Sequence, residues 1–141
     1  MTRRDLEKVY YLKRELKMWE KRYEELIADM SQDTVAPDGM PYSRTNKVSS
    51  PTESKAIQIA DHAELIRGKA AEIRLAIREV EAFIVGIEDP FIRQIVELRC
   101  VHCMSWNEVS ERFGEGVTAE SVRKTYSRFL CGINWNERDS K

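Results

Sequence analysis

Val9, Leu12, Leu16, Trp19, Tyr23, Leu26 and Met30 follow one another at alternating spacings of three and four, the pattern of a helix that packs along one seam. The pattern predicts a first helix from about Arg4 to Met30. The alternation returns without interruption through Ala56, Ile59, Ala63, Ile66, Ala70, Ile73, Ile77, Val80, Ile84 and Ile87. It predicts a second helix from Thr52 or Glu53 to Glu88, roughly 50 Å long at 1.5 Å per residue. Between the two, the stretch 31–52 holds Pro37, Pro41 and Pro51 with Asp38, Gly39, Asn46 and four serines. Proline lacks an amide donor and clashes with the preceding helical turn, so this stretch reads as a linker.

Each large side chain on such a seam is worth roughly 1.5 to 3 kcal/mol when buried, so the seam needs cover. The small Ala56, Ala63 and Ala70 admit the bulky Trp19 and Tyr23, which predicts an antiparallel, coiled-coil-like hairpin over 1–88. The first helix is the shorter one. Part of the second seam is therefore left over for the C-terminal segment or for a second subunit, and a homo-oligomer, a dimer, is expected.

From Pro90 the seam gives way to shorter amphipathic segments. Asp89 suits an N-cap and Pro90 the first helical position; Phe91, Ile92, Ile95, Val96, Leu98 and Val101 supply one apolar face as far as His102. After a break at Cys103-Met104, Ser105 and Glu108 have the spacing of a capping box for a short helix, Trp106 to Phe113, that turns Trp106, Val109 and Phe113 inward. Gly114-Glu115-Gly116 stops it, since glycine readily takes the left-handed conformation. Thr118 then caps a helix from Ala119 to about Leu130, with Ser121 at the box position. Val122, Tyr126, Phe129 and Leu130 face its core, which leaves Glu120, Arg123, Lys124, Ser127 and Arg128 outside. The whole chain reads as all-α, a helical hairpin followed by a three-helix helix-turn-helix module over 89–131 and a polar tail over 132–141. Trp135 is that tail's one aromatic, placed to fold back on the module, and the rest of the tail reads as disordered.

A short helix, a turn and a polar-faced helix are the parts that a reader of duplex DNA needs: one braces on the backbone while the next enters the major groove. The stretch from Leu98-Arg99 through Ser105-Trp106-Asn107-Glu108-Val109-Ser110-Glu111-Arg112-Phe113-Gly114, followed by Thr118-Ala119-Glu120-Ser121-Val122-Arg123-Lys124, resembles region four of bacterial sigma factors. Ser110 stands where that family carries alanine, and Gly114 to Val117 makes a longer turn than its tightest form. Over its full length, with Asp38-Gly39-Met40-Pro41 between two seam helices, the chain resembles small phage late-gene regulators of the ArpU/RinA type. The resemblance implies a sequence-specific, sigma-like regulator of phage or prophage genes, with double-stranded DNA and RNA polymerase as partners. It makes Glu120, Arg123 and Lys124 base and phosphate contacts, and Thr118 and Arg128 backbone contacts. Ser121 and Ser127 complete the DNA-binding set.

Charge narrows this reading. The chain carries 23 basic and 24 acidic residues, and from Ser105 to Leu130 four of each, so bulk charge does not hold a polyanion. One copy of the module then binds modestly, because non-specific attraction comes from neutralised phosphates. On the first helix, basic Arg3, Arg4, Lys8, Lys13, Arg14, Lys17, Lys21 and Arg22 alternate with acids. They read as a solvated face of i to i+4 ion pairs and supply no nucleic-acid arm.

Other chemistry is sparse. His62 and His102 are the only histidines, and no glycine-rich phosphate loop, triad or carboxylate pair is present, so no enzyme, catalytic residue or cofactor is expected. The three cysteines do not make a disulfide framework. Cys100 and Cys103, flanking His102, have a spacing that metal sites use, with Cys131 as a further donor, but at a helix end they read as small apolar residues and no metal is assigned. No apolar run is long enough to span a membrane and the start lacks a leader's apolar stretch, so a cytoplasmic protein is expected. Two other classes share these features. A small terminase-like packaging protein also joins such a module to oligomerisation helices, usually in the opposite order; a protein-interaction module would use the motif for packing alone.

Overall fold

The computed structural model describes residues 1–33 and 51–133. The centre of the expected linker, 34–50, and the tail 134–141 with Trp135 lie outside the described residues. The described chain is all-α, as its periodicity predicts: α1 (Arg3–Asp33), α2 (Pro51–Val85), α3 (Pro90–Val96), a π-helical turn over Glu97–Val101, α4 (Trp106–Phe113) and α5 (Ala119–Gly132). Three boundaries differ from the sequence reading. Ser31, Gln32 and Asp33, assigned to the linker, continue α1. Pro51, assigned to the linker, is the first residue of α2, where a proline amide is not needed. At the other end α2 stops at Val85, and Gly86 and Ile87 donate to the carbonyls of Phe83 and Ile84 in a tightened last turn. Among the described residues no helix is long and apolar enough to cross a membrane.

The described residues form two compact units, one of 14–33 with 51–71 and one of 1–13 with 72–133. In the first, α1 and α2 run antiparallel. Glu15 pairs with Lys69 at 3.1 Å, and one turn further along α1 the Trp19 ring lies 5.5 Å from that of His62, so partners recede along α2 as α1 advances. Tyr23 and Ala63 line one depression, one instance of the large-against-small pairing predicted for the seam, whereas Ala56 is exposed and Trp19 meets His62. Leu16, Trp19, Tyr23, Leu26, Ile59, Ile66 and Ala70 are only half-buried. A layer of two helices covers one side of each seam and leaves its flanks wet, and Met18, Ile27, Ile57 and Leu65 are exposed.

The second unit holds the fully buried core. Leu6, Val9 and Leu12 come from the first turns of α1, and Ile73, Ala76, Val80, Ile84 and Ile87 from the end of α2. Ile95, Val96, Cys100, Val101, Val109, Val122, Tyr126 and Leu130 come from the C-terminal helices. The part of the second seam that looked surplus in the sequence is therefore covered within this unit. Lys13 reaches into it as well, its ammonium donating to the Val101 carbonyl at 2.7 Å.

Candidate functional site

Three caps set the directions of the short helices. Asp89 accepts from the Phe91 amide at 2.8 Å and Pro90 opens α3. Arg93 folds back to donate to the Ile87 carbonyl at 2.7 and 3.1 Å, which holds the corner between α2 and α3. Ser105 accepts from the Glu108 amide while Glu108 accepts from the Ser105 amide at 2.7 Å, so the box anticipated from their spacing is made in both directions. That amide bond holds the Glu108 carboxyl below its usual range. Thr118 and Ser121 repeat the arrangement at the start of α5, where each hydroxyl accepts from the other's amide at 3.2 Å. A serine thus completes the box here in place of an acid.

Between α3 and α4 the backbone does what no local signal announced. The His102 amide bonds back five residues to Glu97 at 3.2 Å and the Met104 amide six residues to Leu98 at 3.1 Å, so the helix widens before it ends. Cys103 follows at φ 56°, a left-handed conformation that a residue bearing a Cβ seldom takes. The wide turn carries Cys100 and Val101 into the core. Cys100 Sγ lies 3.4 Å from the Tyr126 hydroxyl. Burial pushes the Cys100 thiol up to about 11 and raises the Tyr126 phenol too. Arg99 lies over the Trp106 ring at 4.6 Å and donates to the Met104 carbonyl at 2.7 Å, tying the π-turn to α4. Among the described residues no group of three or more His, Cys, Asp or Glu side chains is placed to hold a metal ion.

The turn from α4 to α5 uses two glycines in the left-handed region, Gly114 at φ 84° and Gly116 at φ 91°. Ser110, half-buried on α4, satisfies its hydroxyl by donating to the Asn107 carbonyl at 2.7 Å. Val109 is buried, whereas Trp106 and Phe113 are half-buried and find ring partners in Tyr126 at 5.3 Å and Phe91 at 5.0 Å.

Helix α5 divides its residues sharply. Val122, Tyr126 and Leu130 are buried, while Thr118, Glu120, Ser121, Arg123, Lys124, Ser127 and Arg128 are all exposed. The seven occupy one continuous arc, but not one environment. Glu120 and Lys124 pair at 3.0 Å on the outer ridge, so that ridge is partly neutralised. Arg123 and Ser127 lie on the ridge next to the core, where they line a groove of about 1440 Å³ together with Arg3, Arg4 and Glu7 of α1 and Arg99. Sequence reasoning missed this joining of α1 to α5. Their residues are more than a hundred positions apart and only tertiary packing brings them together; the buried Leu6 and Val9, three apart at the start of the seam, were the available hint.

Comparison with known proteins finds no matching family model, no matching curated protein and no matching solved structure.

Proposed function

We propose that this chain is a sequence-specific, DNA-binding transcriptional regulator that lays α5 in the major groove of duplex DNA. The observation that carries the reading is the division of α5. A helix capped at its start, preceded by a short bracing helix and buried on one stripe presents every polar candidate on the other stripe. Its N-terminal half then meets base edges, where Arg123 pairs with guanine O6 and N7 and Glu120 accepts from cytosine N4. Lys124 and Arg128 hold phosphates, and Thr118 and Ser121 bring the exposed start of the helix close to the backbone. The resemblance to sigma region four supports RNA polymerase as a second partner, at phage or prophage promoters.

Lys124 is held by Glu120 in the free protein, so contact with phosphate exchanges one partner for another and adds little affinity. Two copies on one duplex offset that weakness, and the exposed Met18, Ile27, Ile57 and Leu65 of the hairpin supply apolar surface for pairing. The test is fluorescence anisotropy at low salt on a duplex that the wild type enriches from a randomised library, comparing the wild type with the double variant Arg123→Ala, Lys124→Ala. Loss of a bidentate arginine pair is worth roughly 1 to 3 kcal/mol, so binding weakened by about fivefold to a hundredfold is expected. Unchanged binding by the double variant would assign the motif to packing alone.

A further inference from the structure

Arg3 and Arg4 belong, by sequence pattern, to a solvated helix face. The structure gives them a different setting, because the first turn of α1 faces the ridge of α5 that carries Arg123 and Ser127 across one groove. Four arginines line that groove, Arg3, Arg4, Arg99 and Arg123, against Glu7 as its acid. The module's even charge balance is thus corrected by residues from the far end of the sequence. Arg99 is committed to Trp106 and the Met104 carbonyl, and Arg3 shares an exposed ion pair with Glu7 at 3.3 Å. No hydrogen bond or ion pair engages Arg4 or Arg123 among the described residues. The groove's floor is formed by buried Leu6, Cys100 and Tyr126.

We propose that Arg3 and Arg4 form the second wall of a phosphate-binding groove and clamp the backbone of the duplex strand that flanks the site read by α5. The occupant follows from charge and position. A polyanion lying along the exposed arc of α5 passes Arg123 at the groove's edge, and the next positive charges it meets are those of α1. The contacts are to phosphate and carry no sequence information, so they set affinity and register but not preference. This inference rests on the reading of α5 as the DNA-contacting helix.

The test is the salt dependence of binding by the full chain to a mixed-sequence duplex. Each phosphate neutralised contributes about 0.9 to the slope of log affinity against log salt. Arg3→Gln, Arg4→Gln is therefore expected to flatten that slope by about 1 to 2, with helicity unchanged because both side chains are exposed. The charge-matched Arg74→Gln, Arg78→Gln, on exposed positions of α2 outside the groove, is expected to leave the slope as in the wild type. Glu7→Gln removes the groove's acid and is expected to bind a few-fold tighter. An unchanged slope in the Arg3, Arg4 variant, an equal loss in the Arg74, Arg78 variant, or equal or weaker binding by Glu7→Gln would each overturn the clamp. If Arg123→Ala, Lys124→Ala weakens binding while Arg3→Gln, Arg4→Gln leaves the slope unchanged, the clamp falls and the reading of α5 stands. If the wild type binds no duplex at low salt, both fall. Saturable binding of poly-glutamate in the groove that duplex does not displace would assign it to an acidic protein partner and also overturn the clamp.

Discussion

Replacing Leu6 with alanine perturbs the helix-turn-helix unit from a residue more than eighty positions away in sequence. Leu6 is 1% exposed and lies in the same compact unit as α4 and α5. The substitution removes three carbon groups, worth about 0.8 kcal/mol each in transfer free energy. It also leaves a cavity, and Leu→Ala changes at closed sites cost about 2 to 5 kcal/mol in all. A value of about 3 kcal/mol is a large share of the roughly 5 to 15 kcal/mol that holds an ordinary domain together. With a urea dependence of roughly 1 to 3 kcal/mol per molar, the midpoint should fall by about 1 to 3 M. Trp106 is the appropriate reporter because its ring packs on Tyr126 at 5.3 Å beneath the Arg99 guanidinium. In a background carrying Trp19→Phe and Trp135→Phe its fluorescence follows this unit alone. The exposed Leu75→Ala is the control and should stay within about 0.5 kcal/mol. A loss below about 1 kcal/mol at Trp106 for Leu6→Ala would refute the argument that the first turns of α1 belong to the core beneath α5.

Three further outcomes are expected. Ser105→Ala removes the hydroxyl that accepts from the Glu108 amide, while the backbone amide of residue 105 keeps its bond to the Glu108 carboxylate, and should cost about 1 kcal/mol in urea unfolding; a neutral result would mean that water replaces the cap without loss. Between pH 9 and about 11 the folded chain keeps a proton on Cys100 that the unfolded chain releases, so stability should fall as pH rises through that window. Tyr126, also raised, adds to the loss from the ordinary tyrosine range upward. Cys100→Ala should make the decline shallower, read as urea midpoint against pH, and an identical profile would show that the thiol takes no part. Light scattering after size exclusion should find a dimer, which should shift toward monomer in the double variant Ile57→Glu, Leu65→Glu, since both residues are exposed on the hairpin; a strict monomer at high concentration would remove self-association from the account.

How much of this could be read in the sequence depends on the range of the interaction. The two seams, the boxes at Ser105 and Thr118 and the glycine stop after Phe113 are signals between residues at most a few turns apart, and each stands where the sequence put it. The end of α2 was placed too late because Ile87 continues the apolar pattern although the backbone has already turned at Gly86. Apolar spacing reports burial, not helicity. The π-turn at Glu97–Val101 and the left-handed Cys103 left no trace in composition, since both are imposed by seating Cys100 and Val101 in the core. At the candidate site the exposed arc of α5 was legible residue by residue. Its two environments were not. The Glu120–Lys124 pair follows from i to i+4 spacing, but the groove beside Arg123 needs α1, and nothing local ties Arg3 or Arg4 to α5.

The central claim is that α5 reads duplex DNA. Its most direct test is selection of duplexes from a randomised library by the full chain at low salt, repeated with Arg123→Ala, Lys124→Ala. Enrichment of one sequence over background by the wild type, lost in the double variant, is the predicted result. Failure of the wild type to enrich any sequence, or the same enriched sequence from both proteins, would contradict it.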